Sequence, residues 1–358
     1  MSIKRIVSLL LTVTGLAVLV AFWAMTAVPH AQGAVNASPF LTEFSLPQAG
    51  SPRNLIQHDG KLWFTDAASN AIGSLVVTST VDYDFTFYPL PSANSEPYDL
   101  AASGNNIWFT ERSHNRLGKL DITTGNITEY TIPTPNSAPT GIAVASSGVW
   151  FVEQAGNKLG RFTPGTATFN EYPYSQAGGA LEDVAVTSSG TLVWMTAPGV
   201  KRLSSYNVNT AQFFDIATAS FGVPAYTPSQ VALDTAGNPW VSTHSGVVGR
   251  YSPATVQFFR WYQVGEANSA IDGFIWQAAG SGNQLWFTES NTGHAGQLTT
   301  GLDGVTLNKW RFPVSGSGLY GIVAEDDGTV WIADSNSQAI WRWSPPYFFS
   351  VYLPSIQR

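Results

Sequence analysis

The chain of 358 residues contains 33 glycines, and 11% of its side chains are charged while 13% are aromatic. This composition is typical of a β-rich protein with many tight turns, and it excludes a disordered or coiled-coil chain. The net charge of −7, without any Lys/Arg run longer than two, argues against a nucleic-acid partner. The absence of cysteine excludes disulfides, thiolate catalysis and cysteine-based metal sites.

The N-terminus has the pattern of an export signal. Lys4 and Arg5 precede an apolar run from Ile6 to about Val28, and small residues follow it. We predict that residues 1–37 are a signal peptide cleaved between 33 and 37, or a retained anchor, because a run of about 20 residues can also span a membrane. Either alternative predicts a secreted or extracytoplasmic protein, and only the retained segment would attach it to the membrane.

A repeat occupies the rest of the chain. Seven tryptophans recur at intervals of 42 to 46 residues, and a period of this length indicates a solenoid or a propeller. They are Trp63, Trp108, Trp150, Trp194, Trp240, Trp286 and Trp331.

The pattern inside one unit distinguishes these two folds. From residue 138 the runs APTGIAVA, VWFVE, KLGRFTP and TFNEYPY alternate with short turns rich in Gly, Ser, Asn and Thr. These are four short strands, and no window sustains an amphipathic helix. The sequence therefore predicts an all-β protein, a seven-bladed β-propeller of four-stranded antiparallel blades.

The two ends of the repeat predict how the ring closes. FLTEFSLP at Phe40–Pro47 resembles the fourth-strand segments elsewhere, whereas the last unit supplies only three strands. We predict that Phe40–Pro47 pairs with the last blade, which would remove an exposed strand edge. The propeller then spans residues 38–345, and the aromatic tail 346–358 either competes for that position, lies outside the ring or acts as a sorting signal.

The repeated phrase WFTE…N-(R/K)-(I/L)-G-(R/K), followed by ITEY-(T/S)-IPTP, resembles that of the streptogramin lyase (virginiamycin B lyase) family between about Phe40 and Trp343. The resemblance implies a seven-bladed propeller. It also implies an enzyme that opens a cyclic depsipeptide by elimination, using a histidine base and a carboxylate-bound Mg²⁺. Carriers of this phrase need not be lyases.

Two rings of side chains are predicted at one end of the propeller. The acidic ring lies three residues after each tryptophan and comprises Asp66, Glu111, Glu153, Ala197, Thr243, Glu289 and Asp334. Its carboxylates either bind backbone N–H groups in the next turn, once per blade, or hold Mg²⁺ or Ca²⁺. Glu111, Glu153 and Glu289 are the candidate metal ligands.

The mouth ring lies at the start of each innermost strand, where the family pattern often carries histidine. It comprises Arg53, Tyr98, Thr140, Glu182, Ser229, Asp272 and Tyr320, without a histidine. Because these residues differ from blade to blade, they are interpreted either as ligand-lining positions or as unselected surface variation. Arg53, Tyr98, Glu182, Asp272 and Tyr320 are the candidate ligand-binding residues.

Among the remaining histidines, His244 follows Trp240 by four residues and is the best candidate for a catalytic base. Glu289 on the next blade is predicted to orient it or to hold a metal. Three functions follow: an exported monomer that binds a small molecule or a protein at its mouth, a lyase of cyclic esters, or a cell-surface structural module attached through its leader or tail.

Overall fold

The computed structural model describes residues 35–36, 41–78, 82–219, 226–253, 257–266, 269–279, 282–301, 304–313 and 318–344. These residues form seven blades of four antiparallel strands, one of which carries a short fifth strand in parallel, and the innermost strands contact one another in a closed ring. The predicted seven-bladed β-propeller is therefore confirmed. In the part of the chain that the structure describes, no helix is long and apolar enough to cross a membrane.

The blades are numbered 1 to 7 along the chain, with strands given from the axis outward. Blade 1 contains β3 (Pro52–His58), β4 (Lys61–Asp66), β5 (Ala71–Val77) and β6 (Tyr83–Pro89). Blade 2 contains β7 (Pro97–Ser103), β8 (Asn106–Glu111), β9 (Arg116–Asp121) and β10 (Ile127–Thr131). Blade 3 contains β11 (Pro139–Ala145), β12 (Gly148–Glu153), β13 (Lys158–Thr163) and β14 (Thr168–Pro173). Blade 4 contains β15 (Val184–Val186), β16 (Leu192–Ala197), β17 (Arg202–Asn207) and β18 (Gln212–Ala217), with a 3₁₀ turn at Pro198–Val200.

The remaining blades follow the same order. Blade 5 contains β19 (Pro228–Leu233), β20 (Pro239–Thr243), β21 (Val247–Ser252) and β22 (Gln257–Gln263). Blade 6 contains β23 (Ile271–Ala279), β24 (Gly282–Glu289), β25 (His294–Gly301) and β26 (Gly304–Arg311), and β1 (Val35–Asn36) pairs with β26 in parallel. Blade 7 contains β27 (Leu319–Ala324), β28 (Val330–Asp334), β29 (Ala339–Trp343) and β2 (Leu41–Ser45).

Strand β2 closes the ring. It pairs antiparallel with β29 over its whole length, so the N-terminal strand completes blade 7, as predicted. Phe44 of β2 is fully buried and packs 5.6 Å from the Trp331 ring, centroid to centroid. The leader before residue 35 and the tail 346–358 lie outside the described residues, so export and the role of the tail stay predictions.

The repeated phrase encodes the packing between blades. Each repeat tryptophan is at most 5% exposed, and the clusters that contain them join neighbouring blades. The residue after the tryptophan faces the other side of its sheet, where Phe109 lies over the motif glycine Gly118. A Cβ added at Gly118 would stand 2.0 Å from Phe109 Cζ, and therefore only glycine fits beneath this ring.

A hydroxyl group in the tryptophan strand links each of five blades to the next one. Thr110 Oγ1 accepts the Asp99 N–H at 3.2 Å and donates to the Thr140 carbonyl of the following blade at 2.7 Å. Equivalent pairs of bonds are made by Thr65, Thr196, Ser242 and Thr288. We call these five groups the hydroxyl latches.

The latches make a testable contribution to stability. Thr110→Val keeps the side-chain shape but leaves the Asp99 N–H and the Thr140 carbonyl without their partner, so the free energy of unfolding is expected to fall by about 1–3 kcal/mol. Thr110→Ser keeps the hydroxyl and loses one methyl group, at about 0.8 kcal/mol. Urea denaturation compares the two variants, and a larger loss in the serine variant would contradict a stabilising role of the hydroxyl.

Candidate functional site

The mouth ring is built by an irregularity that recurs at the start of the innermost strands. Pairing between the first two strands shifts register at Pro52/Leu55, Pro97/Leu100 and Ile271/Gly273, among others. Such bulges leave a residue unpaired and re-aim its side chain. Arg53, Tyr98 and their equivalents occupy these positions, which explains how polar residues of the sheet interior reach the mouth.

Arg53 is held between two tyrosine rings. Its guanidinium carbon lies 4.2 Å from the centroid of Tyr98 and 4.8 Å from that of Tyr320, distances typical of cation–π contacts. Arg53 Nη2 also donates to Tyr98 Oη at 3.1 Å. Burial raises the pKa of Tyr98 to about 12, so this phenol stays neutral. The structure thus joins three of the five predicted ligand-binding residues, which come from blades 1, 2 and 7.

Glu182 and Asp272 supply the acidic side of the mouth. Burial raises the pKa of Glu182, the neighbouring His244 opposes this shift, and Asp272 adds to it. Ser229 Oγ lies 3.4 Å from Glu182 Oε1 as a long hydrogen bond. His244 itself is exposed, and its backbone N–H donates to the Thr227 carbonyl at 3.3 Å. The predicted base is therefore close enough for its charge to act on a mouth-ring carboxylate.

A cavity of about 200 Å³ lies beneath the mouth ring and is bounded by residues from all seven blades. Its polar lining includes Tyr98 and Glu182 from the mouth ring, and Asn54, Asp99 and Asp183 from the next position along the innermost strands. The sequence interpretation missed this lower tier. The signal was present, because a polar residue directly follows Arg53, Tyr98 and Glu182 in the chain.

Asp99 and Asp183 hold neighbouring blades together from inside the cavity. Asp99 accepts N–H groups from Leu100 of its own blade at 2.8 Å and from Ile142 of the next blade at 2.9 Å. Asp183 accepts the Val184 and Val231 N–H groups in the same way, each at 2.8 Å. Burial raises the pKa of Asp99 to about 6, and burial together with repulsion from Asp99 raises that of Asp183 to about 8.

The carboxylates of the acidic ring are fully buried. Asp66 accepts the Ser51 and Ser69 N–H groups at 2.7 and 3.1 Å, and Asp334 accepts two N–H groups in its own turn. These contacts match the alternative in which the ring caps backbone groups. Glu289 instead lies 2.5 Å from Lys309 Nζ as an ion pair and accepts a hydrogen bond from Thr292.

The proposed metal ligands do not come together. Among the described residues, no three His, Asp or Glu side chains are close enough to hold a metal ion. Glu289 forms its ion pair with Lys309. The orientation of His244 by Glu289 stays a prediction. The described residues therefore do not fit a Mg²⁺ centre built on this ring. Sequence spacing could not reveal this arrangement, because Lys309 approaches Glu289 from another strand.

The other histidines have separate environments. His294 Nδ1 lies 3.0 Å from Thr292 Oγ1, and burial together with the Lys309 ammonium lowers its pKa. His58 lies at the opposite end of the propeller, as predicted, where its Nε2 is 2.7 Å from the Gly104 carbonyl. Neither residue is among the cavity-lining residues beneath the mouth.

Fold and site together define a seven-bladed β-propeller whose innermost strands build a mouth of mixed charge. The chain belongs to the virginiamycin B lyase family, whose model matches residues 17–251. A streptogramin B lyase structure is similar to it with a TM-score of 0.74 and 25% identity, covering 85% of this chain and 97% of that one. A search of curated protein sequences found no significant match.

The virginiamycin B lyase of Staphylococcus aureus shares the fold with a TM-score of 0.74 and 24% identity, over 86% of this chain and 99% of that one. A catalytically inactive histidine-to-alanine variant of that enzyme, solved with quinupristin, gives the same values. At this identity the likeness establishes the fold.

Glu111 and Glu153 are predicted to make the stability of the protein depend on pH. Both are fully buried, neither has a hydrogen-bond partner of good geometry for its carboxylate oxygens among the described residues, and burial raises the pKa of each from 4.5 to about 7. The folded state therefore binds their protons more tightly than the unfolded state does. Their contribution to stability is complete below about pH 4.5 and is lost as the pH rises through 7.

Glu111→Gln/Glu153→Gln removes this titration. Urea denaturation at pH 5 and pH 8 is expected to show that the doubly substituted protein gains stability relative to wild type at the higher pH. Exposed Glu43→Gln is the matched control and should show no such difference. The same stability difference between the double variant and wild type at both pH values would refute the buried-acid assignment.

Proposed function

We propose that this chain binds a small polar ligand at its central mouth. The observation that carries the proposal is the stacked Arg53, which lies between Tyr98 and Tyr320 and has no carboxylate partner among the described residues. A guanidinium has five N–H donors, and the contact to Tyr98 occupies only one of its nitrogens. The cation is thus positioned by the fold while most of its donors stay available.

The distribution of variation supports the same function. Mouth-ring residues differ in charge and size from blade to blade, whereas the latch hydroxyl recurs in five blades. Positions that hold the blades together are under a common constraint, and the mouth positions are free of it. Concave sites with a few convergent polar groups are the usual ligand sites of proteins.

A thermal-shift screen of small polar compounds tests this function. A ligand at about 100 times its Kd adds about 2.7 kcal/mol and raises the unfolding temperature by several degrees. We expect at least one compound to stabilise the wild type and to lose its effect in Arg53→Gln/Glu182→Gln. Arg260→Gln on the outermost strand β22 is the control. Shifts that persist in the double variant, or no shift with any compound, would contradict a small-ligand site at the mouth.

Lyase activity is the second candidate, and it is favoured by the exposed His244, whose charge acts on Glu182. In an elimination the base takes a proton from the alcohol side of the ester, on the carbon adjacent to the one that bears the ester oxygen. A carbon–carbon double bond forms between these two carbons as the carbon–oxygen bond breaks and the carboxylate leaves. The imidazole of His244 would accept the proton, and Glu182 would stabilise the resulting imidazolium. No step is assigned to a metal ion, because the described residues do not form its site.

Quinupristin distinguishes the two candidates. Elimination converts the ring to a linear isomer of unchanged mass, whereas hydrolysis adds one water, so chromatography coupled to mass spectrometry separates them. We expect the wild type to leave quinupristin intact in Mg²⁺ and in EDTA, with the Staphylococcus aureus enzyme as positive control. A linear isomer that forms with the wild type and is absent with His244→Ala would replace binding by the lyase function.

A further inference from the structure

The mouth presents opposite charges to a ligand, and this arrangement narrows the ligand class. Arg53 provides the positive side, fixed by stacking on Tyr98 and Tyr320. Guanidinium groups bind carboxylates through two parallel hydrogen bonds, and stacking leaves the edge of the group available for this contact. An anionic end of a ligand therefore has a defined partner.

The negative side leads into the cavity. Glu182 belongs both to the mouth ring and to the cavity lining, where it is followed by Asp183. No Lys, Arg or His is present among the described residues that line this cavity. A group entering it meets carboxylates, the amides of Asn54 and Gln230, a phenol and backbone, and this surface favours a hydrogen-bond donor with positive charge.

The carboxylates in the cavity retain binding capacity. Each Asp183 oxygen accepts one backbone N–H, which leaves a second lone pair on each. Among the described residues, Glu182 accepts a hydrogen bond only from Ser229, and this bond is long. Burial raises the pKa values of Glu182 and Asp183, and a bound cation would counter this by stabilising their charged forms.

The size of the cavity limits the ligand. The cavity volume of about 200 Å³ is below the 300–1,000 Å³ that is typical of sites for drug-sized ligands. An ammonium group has three donors and matches an acidic cavity without requiring the coordination geometry of a metal ion.

We propose that the mouth binds a zwitterion of amino-acid size, whose ammonium group enters the cavity beside Glu182 and whose carboxylate pairs with Arg53. This inference rests on the proposed binding function and adds the ligand class to it. The two charged ends explain why, among the described residues, the mouth combines an arginine that makes no carboxylate ion pair with a carboxylate whose one hydrogen bond is long.

Isothermal titration calorimetry with the purified protein at pH 7 tests whether the ligand is a zwitterion. The twenty common L-amino acids are titrated first, and the best binder is then compared with its C-terminal amide and with its deaminated acid. We expect the zwitterion to bind at least about tenfold more tightly than either analogue, which corresponds to about 1.4 kcal/mol for each lost charge contact. If no amino acid binds, or if either analogue binds as tightly as the zwitterion, the proposal is overturned.

Two variants that each remove one charge test which residue binds which end of the zwitterion. Arg53→Gln is expected to reduce zwitterion affinity to that of the amide and to leave amide binding unchanged. Glu182→Gln is expected to reduce it to that of the deaminated acid and to leave the acid unchanged. Arg260→Gln is the matched control, and unfolding curves establish that each variant is folded. If one variant lost the same affinity for the zwitterion, the amide and the deaminated acid, the assignment of Arg53 to the carboxylate and of Glu182 to the ammonium group would be overturned.

The outcomes also separate this inference from the binding function on which it rests. A compound in the thermal-shift screen that depends on Arg53 and Glu182 but carries only one charge would overturn the zwitterion class and keep the mouth as a binding site. Loss of every mouth-dependent ligand in both experiments would overturn the two proposals together.

Discussion

The hydroxyl latch is the interaction on which the mouth depends. In blade 2, Thr110 satisfies the N–H of Asp99 at the bulged start of β7 and the carbonyl of Thr140 in blade 3. Both groups belong to irregular backbone that cannot complete its own sheet ladder, and a buried polar group without a partner is costly. One side chain therefore stabilises the bulge that aims a mouth residue and the junction that sets the next blade beside it.

This arrangement separates the scaffold from the site. The tryptophans, the motif glycines, the latches and the buried carboxylates maintain contacts within and between blades, so they recur with the repeat. The mouth-ring side chains extend from the same backbone irregularities but have no common structural duty. Arg53, Tyr98 and Glu182 can therefore differ from one another without disturbing blade packing. Membership of the virginiamycin B lyase family describes the scaffold, and the function follows from the side chains that it carries.

The acidic ring illustrates why a repeated charged residue is weak evidence for a metal site. Asp66 and Asp334 bind backbone N–H groups, Glu289 pairs with Lys309, and Glu111 and Glu153 are buried with raised pKa values. Residues at one repeat position thus have three different electrostatic environments. The strand on which a partner lies decides between them, and that information is distributed over the blade.

The sequence by itself determined the seven blades, the four strands of each and the closing strand, because tryptophan spacing, turn residues and strand periodicity are local signals. It also located the mouth ring, since Arg53 and its equivalents occupy one position of the repeat. Only the tertiary structure decided that Arg53 stacks on Tyr320 from the far end of the chain, and that Asp99 and Asp183 share a cavity. Closing the ring brings together residues that are far apart in the chain. The repeat period specifies which face of a blade a side chain occupies, but it does not specify the distance from that side chain to residues in other blades.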